Sequence, residues 1–200
     1  MGAGNMLSEL LKKKSLFHHL YIIDKETAEQ YRKKPCPHCG GPLHFANYFR
    51  KPRGEPDGLP EECFLRFSLC CGKEGCRRRL IPPSCRFLGR KVYWHINIMI
   101  IVSIWQNRIE DINIYKLSKL FDVSRNTIVR WITFYRDDFP ASDQWRKIRG
   151  QIASFIKDTE LPSSLINHYL DLKSSAKNAL IFCLKFLSDG SGFSQKIRAD

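Results

Sequence analysis

Acidic side chains are scarce in this chain: 20 Asp and Glu stand against 33 Lys and Arg, a formal charge of +13 at pH 7. A surplus of that size favours polyanionic partners, nucleic acid first and acidic membrane second. A long apolar run is also missing. The most apolar stretch, Val92 to Trp105, is too short for a bilayer and contains His95, Asn97 and Ser103, so no membrane span is expected. No signal peptide is recognised, which argues against a secreted disulfide framework for the eight cysteines and for a reducing, cytoplasmic and nucleoid-associated setting. No βαβ pattern surrounds Cys36, so a redox-active cysteine pair is not expected there. The apolar fraction of 43% permits a folded core and excludes a disordered polycation.

The chain is organised around residues 36–79. Cys36 and Cys39 flank Pro37-His38 and are followed by Gly40-Gly41, and a second turn carries Cys71 and Cys76 around Gly72 and Gly75. Two thiolates on each of two tight turns make a closed tetrahedral site, which suits one structural zinc ion rather than a catalytic one. Cys36, Cys39, Cys71 and Cys76 are the predicted ligands of a zinc ribbon. Strand alternation in Phe67 to Cys70 could point either Cys70 or Cys71 inward; the tighter Cys71–Cys76 turn favours Cys71. The 31 residues between Cys39 and Cys71 exceed a usual ribbon spacing, and the turn formers of Lys51 to Pro60 account for the excess as an inserted loop. Pro42 to Phe49 and Phe64 to Leu69 alternate as half-buried strands do. His44 is expected on the strand surface. Cys63, Cys70, Cys85 and Cys183 are expected to be small buried or half-buried hydrophobes.

Charge concentrates here. Residues 32–91 hold 14 Lys and Arg against 5 Asp and Glu. Arg77, Arg78, Arg79, Arg90 and Lys91 bracket a Pro82-Pro83 break, and the stretch is expected to lie as a basic connector along a phosphate backbone.

Elsewhere the periodicity is helical. Residues 1–34 form an N-terminal helical segment, with Asp24 to Tyr31 a second short helix and His18-His19 on a solvated face. Residues 35–90 form the ribbon with its connector, 91–150 a helix-turn-helix domain, and 151–200 C-terminal helices. Val92 to Gln106 is read as one apolar helix and Tyr115 to Phe121 as a short one. Asp122-Val123 then turn, and Ser124 caps a helix running to Ile132. Leu117, Leu120, Phe121, Ile128, Trp131 and Ile132 are the expected core. Ser124, Arg125, Asn126, Thr127 and Arg130 are left outward at the end that enters a major groove, where Arg pairs with guanine and Asn with adenine. A helix over 142–157 would add a basic patch at Arg146, Lys147 and Arg149. Helices over 163–173 and 175–188 would dock on the domain or face a partner, and 190–200 would fray. The fold class expected is mainly α with a small β zinc ribbon, a trihelical helix-turn-helix core and flanking helices.

The run from Cys36-Pro37-His38-Cys39 through Arg77-Arg78-Arg79, Pro82-Pro83-Ser84 and Arg86 to Tyr93, followed by the helix-turn-helix and by Phe139 to Gly150, resembles small proteins of bacterial mobile elements. It is similar also to the zinc-ribbon plus helix-turn-helix front ends of insertion-sequence transposases. The resemblance covers about residues 35–150 and implies DNA binding at element ends or target sites. The function expected is sequence-reading binding of double-stranded DNA in transposition or recombination. The chain itself is expected not to be an enzyme, since a strand-transfer site needs three acids held on a mixed sheet. Catalysis would then belong to a separate transposase or recombinase subunit, and a homo-oligomer is allowed. A transcriptional regulator of the same architecture is the alternative, with a protein-interaction module behind it.

Overall fold

The computed structural model describes residues 8–89, 91–107, 112–152, 156–173, 175–189 and 194–195. It is mainly helical, with a small antiparallel sheet. Helix α1 spans Lys14–Arg32 without a break. The expected second helix from Asp24 is part of it, because Asp24 does not start a helix but lies on the buried stripe with Leu16, Phe17, Leu20 and Ala28.

The strands are short: β1 (Leu43–Phe45), β2 (Tyr48–Phe49), β3 (Leu65–Arg66), β4 (Leu69–Cys71) and β5 (Arg79–Ile81), with β6 (Ser194–Gln195) on the far edge of β5. Fraying over 190–200 is therefore not seen at Ser194 and Gln195, while the rest of that tail lies outside the described residues. The pairs Leu43–Cys71, Phe45–Leu69, Tyr48–Arg66 and Phe49–Leu65 keep one register. Ala46 N–H donates to Ser68 O (2.8 Å), Arg50 N–H to Phe64 O (2.9 Å) and Ser68 N–H to Asn47 Oδ1 (3.1 Å). Residues 43–50 and 64–71 thus form two short ladders in line, β1–β4 in the larger sheet and β2–β3 in a separate two-stranded one, interrupted where the Asn47 side chain takes the Ser68 N–H.

The middle of the connector does not lie on the surface. Pro82, Pro83, Ser84, Cys85, Arg86 and Phe87 are all buried or nearly so, and Arg86 is 0% exposed. Its Nε donates to Asp24 Oδ2 (2.7 Å), Nη1 to Cys63 O (2.5 Å) and Nη2 to Leu65 O (2.8 Å). Ser84 Oγ and the Cys85 N–H also donate to the Asp24 carboxylate. The guanidinium lies over the rings of Tyr21, Phe67 and Phe87. One buried ion pair therefore ties α1, the sheet and the segment leading to the helical half. The chain continues into α2 (His95–Gln106), every residue of which from His95 to Ile104 is buried. The helix starts at His95 rather than Val92 because Tyr93 and Trp94 bridge to Arg53 and Phe87.

Helix α3 spans Ile114–Leu120 and α4 spans Arg125–Thr133, extended by a π turn over Phe134–Asp138. The wider turn brings the Tyr135 hydroxyl to His95 Nε2 (2.8 Å), both buried, and burial pushes the His95 imidazole down to about 3. Helix α5 (Asp143–Arg149) stops at Gly150, short of the expected 157. Arg149 then folds back onto Asp158 (2.8 Å) and Ile156 O (2.9 Å), leaving only Arg146 and Lys147 exposed from the basic patch expected there. Helices α6 (Ser163–Leu172) and α7 (Ala176–Asp189) dock, and one apolar core runs from Leu10 to Leu187 through residues of all four expected segments. A separate small cluster, Cys36, Leu43, Leu69, Cys71 and Leu80, sits at the sheet end. Among the described residues no helix is long and apolar enough to cross a membrane.

Candidate metal centre and nucleic-acid surface

The first cysteine turn closes through Cys36 N–H to Gly41 O (2.8 Å) and Gly40 N–H to Cys36 O (2.8 Å), with Gly40 at φ +71°. The second closes through Cys71 N–H to Arg78 O (3.0 Å) and Cys76 N–H to Lys73 O (3.2 Å). Gly72 N–H donates to Pro42 O (2.9 Å), stitching the two turns together. They approach so closely that a Cβ on Gly41 would lie 2.8 Å from the Lys73 Cβ and 3.1 Å from Cys71 Sγ.

The Sγ atoms of Cys36, Cys39, Cys71 and Cys76 all lie within 4.8 Å of one another and could hold a metal ion. Cys36 and Cys76 are 3.9 Å apart, Cys39 and Cys71 3.4 Å. Burial first, then hydrogen bonding with the neighbouring thiols, pushes the Cys71 thiol up to about 12, against the pull of the Lys73 backbone N–H. A thiol so crowded and buried needs a cation to be held as a thiolate. Cys70 faces the other way, its Sγ 3.4 Å from Arg77 O. It is half-buried, whereas Cys63, Cys85 and Cys183 are buried as expected. His44 is exposed.

The basic residues fall into two groups. Arg77, Arg78 and Arg79 lie beside the cysteines, and all three are exposed. Arg78 Nη1 lies 3.0 Å from His38 Nδ1 in the opposite cysteine turn, and Arg79 lies over the Tyr48 ring (5.8 Å). The second group is on α4. Ser124 Oγ accepts the Thr127 N–H (3.3 Å) and lies 2.8 Å from Thr127 Oγ1, capping the helix as expected. Val123 is buried in the turn before it, and Asp122 takes φ +49° there. Leu117, Ile128, Trp131 and Ile132 are buried. Leu120, expected in the core, is 62% exposed because it ends α3 on the solvent side, and Phe121 is half-buried. Arg125, Asn126 and Arg130 are exposed and Thr127 half-buried. Arg125 lies over the Tyr115 ring (5.7 Å), and with Asn126 it borders a cleft of about 1140 Å³ between α3, α4 and the end of α2. Lys91 is half-buried over Phe134 (4.8 Å), at the π-turn end of α4. Arg90 lies outside the described residues.

Sequence reasoning does not single out Asp24 or Arg86 as positioning residues. The one signal present is the apolar setting of Arg86, between Pro82-Pro83-Ser84-Cys85 and Phe87-Leu88. No protein-family model matches the chain, and neither does any curated protein or solved structure.

Proposed function

We propose that the chain is a zinc-containing reader of duplex DNA, a zinc ribbon joined to a helix-turn-helix. It would recognise element ends or target DNA in transposition or recombination, with catalysis on another chain. The observation that carries this reading is α4. Its first turn is capped by Ser124 and offers Arg125, Asn126 and Arg130 to solvent, while its other face is held rigid by Ile128, Trp131 and Ile132 against the core. A helix so oriented can enter a major groove N-terminus first, with side chains suited to guanine and adenine edges. Zinc fits the four-cysteine donor set: bonds of about 2.3 Å in a tetrahedron give sulfur separations of about 3.8 Å, against 3.9 and 3.4 Å here. Catalysis is assigned elsewhere partly because of where the acids are: Asp122 occupies the tight turn and Asp137 pairs with Arg136 (2.7 Å).

Arg125→Ala is expected to weaken binding to a preferred duplex by about 1–3 kcal/mol and to relax the preference at one base pair. A selection from randomised duplexes followed by titration checks this; equal loss on random DNA would make Arg125 a phosphate-binding residue. Replacing Arg77, Arg78 and Arg79 together by alanine is expected to reduce the slope of log K against log salt by about 0.9 for each phosphate that is no longer neutralised. An unchanged slope in a salt titration would place those side chains off the DNA. A transcriptional regulator would show the same geometry; binding to an operator beside its own gene distinguishes it from a reader of element ends.

A further inference from the structure

The two ladders have one open side in common. Among the described residues, no strand pairs with the outer edge of β1 or of β2. The shared register puts Phe45 of β1 and Phe49 of β2 on one face. Phe45 is 38% and Phe49 57% exposed, although aromatic rings of this size usually seek burial. The Arg32 guanidinium, paired with Glu29 (3.1 Å) at the surface, lies over the Phe45 ring (5.4 Å), and Lys51 is exposed two residues beyond Phe49. No acid occurs between Pro35 and Arg53. Phe45 is backed by Phe67 at 6.4 Å, and Asn47 is fixed by the Ser68 N–H, so the rings stand on a rigid base.

Exposed rings on an edge strand invite either a stacked base or another strand. The flanking cations decide between them, since a polyanion gains from Lys51 and can compete with Glu29 for the exposed Arg32, whereas a neutral strand does neither. We propose that this edge is a binding platform for single-stranded nucleic acid, with bases stacking on Phe45 and Phe49 and phosphates meeting Arg32 and Lys51. The platform uses none of the residues assigned to duplex reading, so it stands apart from that assignment. Two rings four residues apart on a strand are about 13 Å apart. At a stacked rise of about 3.4 Å per nucleotide, they span about four nucleotides.

The test is fluorescence anisotropy of the zinc-loaded full chain with labelled oligo-dT and oligo-U of graded length. Affinity is expected to climb with length until the oligonucleotide spans both rings, at about four to six nucleotides, and then to level off. Phe45→Leu and Phe49→Leu are each expected to lose about tenfold or more with duplex affinity unchanged, whereas Phe49→Trp retains binding. Arg125→Ala should do the reverse, losing duplex and keeping single strands. The dT and U arms tell DNA from RNA, and a preference for either supports the platform. Leucine variants that keep their zinc and bind single strands like the parent would overturn it. So would equal loss on both kinds of nucleic acid, or a parent dimer that the leucine variants dissociate, which would assign the edge to a second copy of the chain.

Discussion

Asp24→Ala is expected to destabilise the fold by about 3–5 kcal/mol, the usual cost of stripping one partner from a buried ion pair. The carboxylate accepts from Arg86 Nε, Ser84 Oγ and the Cys85 N–H, all buried. Its loss leaves the Arg86 guanidinium uncompensated at 0% exposure. A second buried guanidinium makes matters worse. Arg66 is 7% exposed, and burial pulls it down to about 10 while Asp24 supports its charge. Two cations would then share the core without the carboxylate that offsets them. Urea unfolding of the variant measures the effect, with the exposed Arg146–Asp143 pair as a control whose removal should change little. A loss for Asp24→Ala as small as for that control would mean that the Arg86 network is not what joins the two halves.

Cys39→Ser is expected to abolish stoichiometric metal binding and to unfold the cysteine turns, and a strong chelator should do the same to the parent protein. Little else holds that end together among the described residues: its apolar cluster there is Cys36, Leu43, Leu69, Cys71 and Leu80, with Tyr31, Cys39 and Cys76 at its margin. Metal-binding energy is folding energy in such a site. The damage should spread. The carbonyls of Cys63 and Leu65 that receive Arg86 lie at the start of β3, whose ladder with β2 continues in line from the one that holds Cys71, so loosening the cysteine end loosens the hub. Loss of amide-exchange protection over 36–81 together with a lower melting temperature is the expected signature. A Cys39→Ser protein that keeps one metal per chain and the parent melting temperature would contradict the ligand assignment.

What can be read from the sequence is local. The cysteine turns announce themselves by spacing and glycine, since a ligand pair and its turn occupy a few consecutive residues. The Ser124 cap and the Val123 plug are equally local, and α6 and α7 fall within a residue or two of their expected bounds. What escapes is non-local or sign-blind. Arg86 looks like one more cation in a basic run, and only its meeting with Asp24, 62 positions away, makes it a core residue. Asp24 misleads for the same reason: an acid early in a helical stretch suggests a helix start, but here it is an inward-facing member of a longer helix. The loop over 51–60 looks detachable. In the fold it is anchored, with Arg53 N–H donating to Val92 O (2.8 Å) and Asn97 Nδ2 to Gly54 O (2.8 Å). Periodicity points Leu120 inward, but it cannot say where a seven-residue helix ends relative to solvent.

The proposed reading of duplex DNA through α4 is tested most directly by selecting from a randomised duplex library with the zinc-loaded chain, then titrating the enriched sequence and bulk duplex at one physiological salt concentration. A reader of element ends or operators should enrich a defined site and bind it about a thousandfold or more above bulk DNA, with Arg125→Ala erasing most of that margin. Recovery of no sequence, with salt-sensitive and equal binding to all duplexes, would contradict it and leave the positive surface as a non-specific polyanion scaffold.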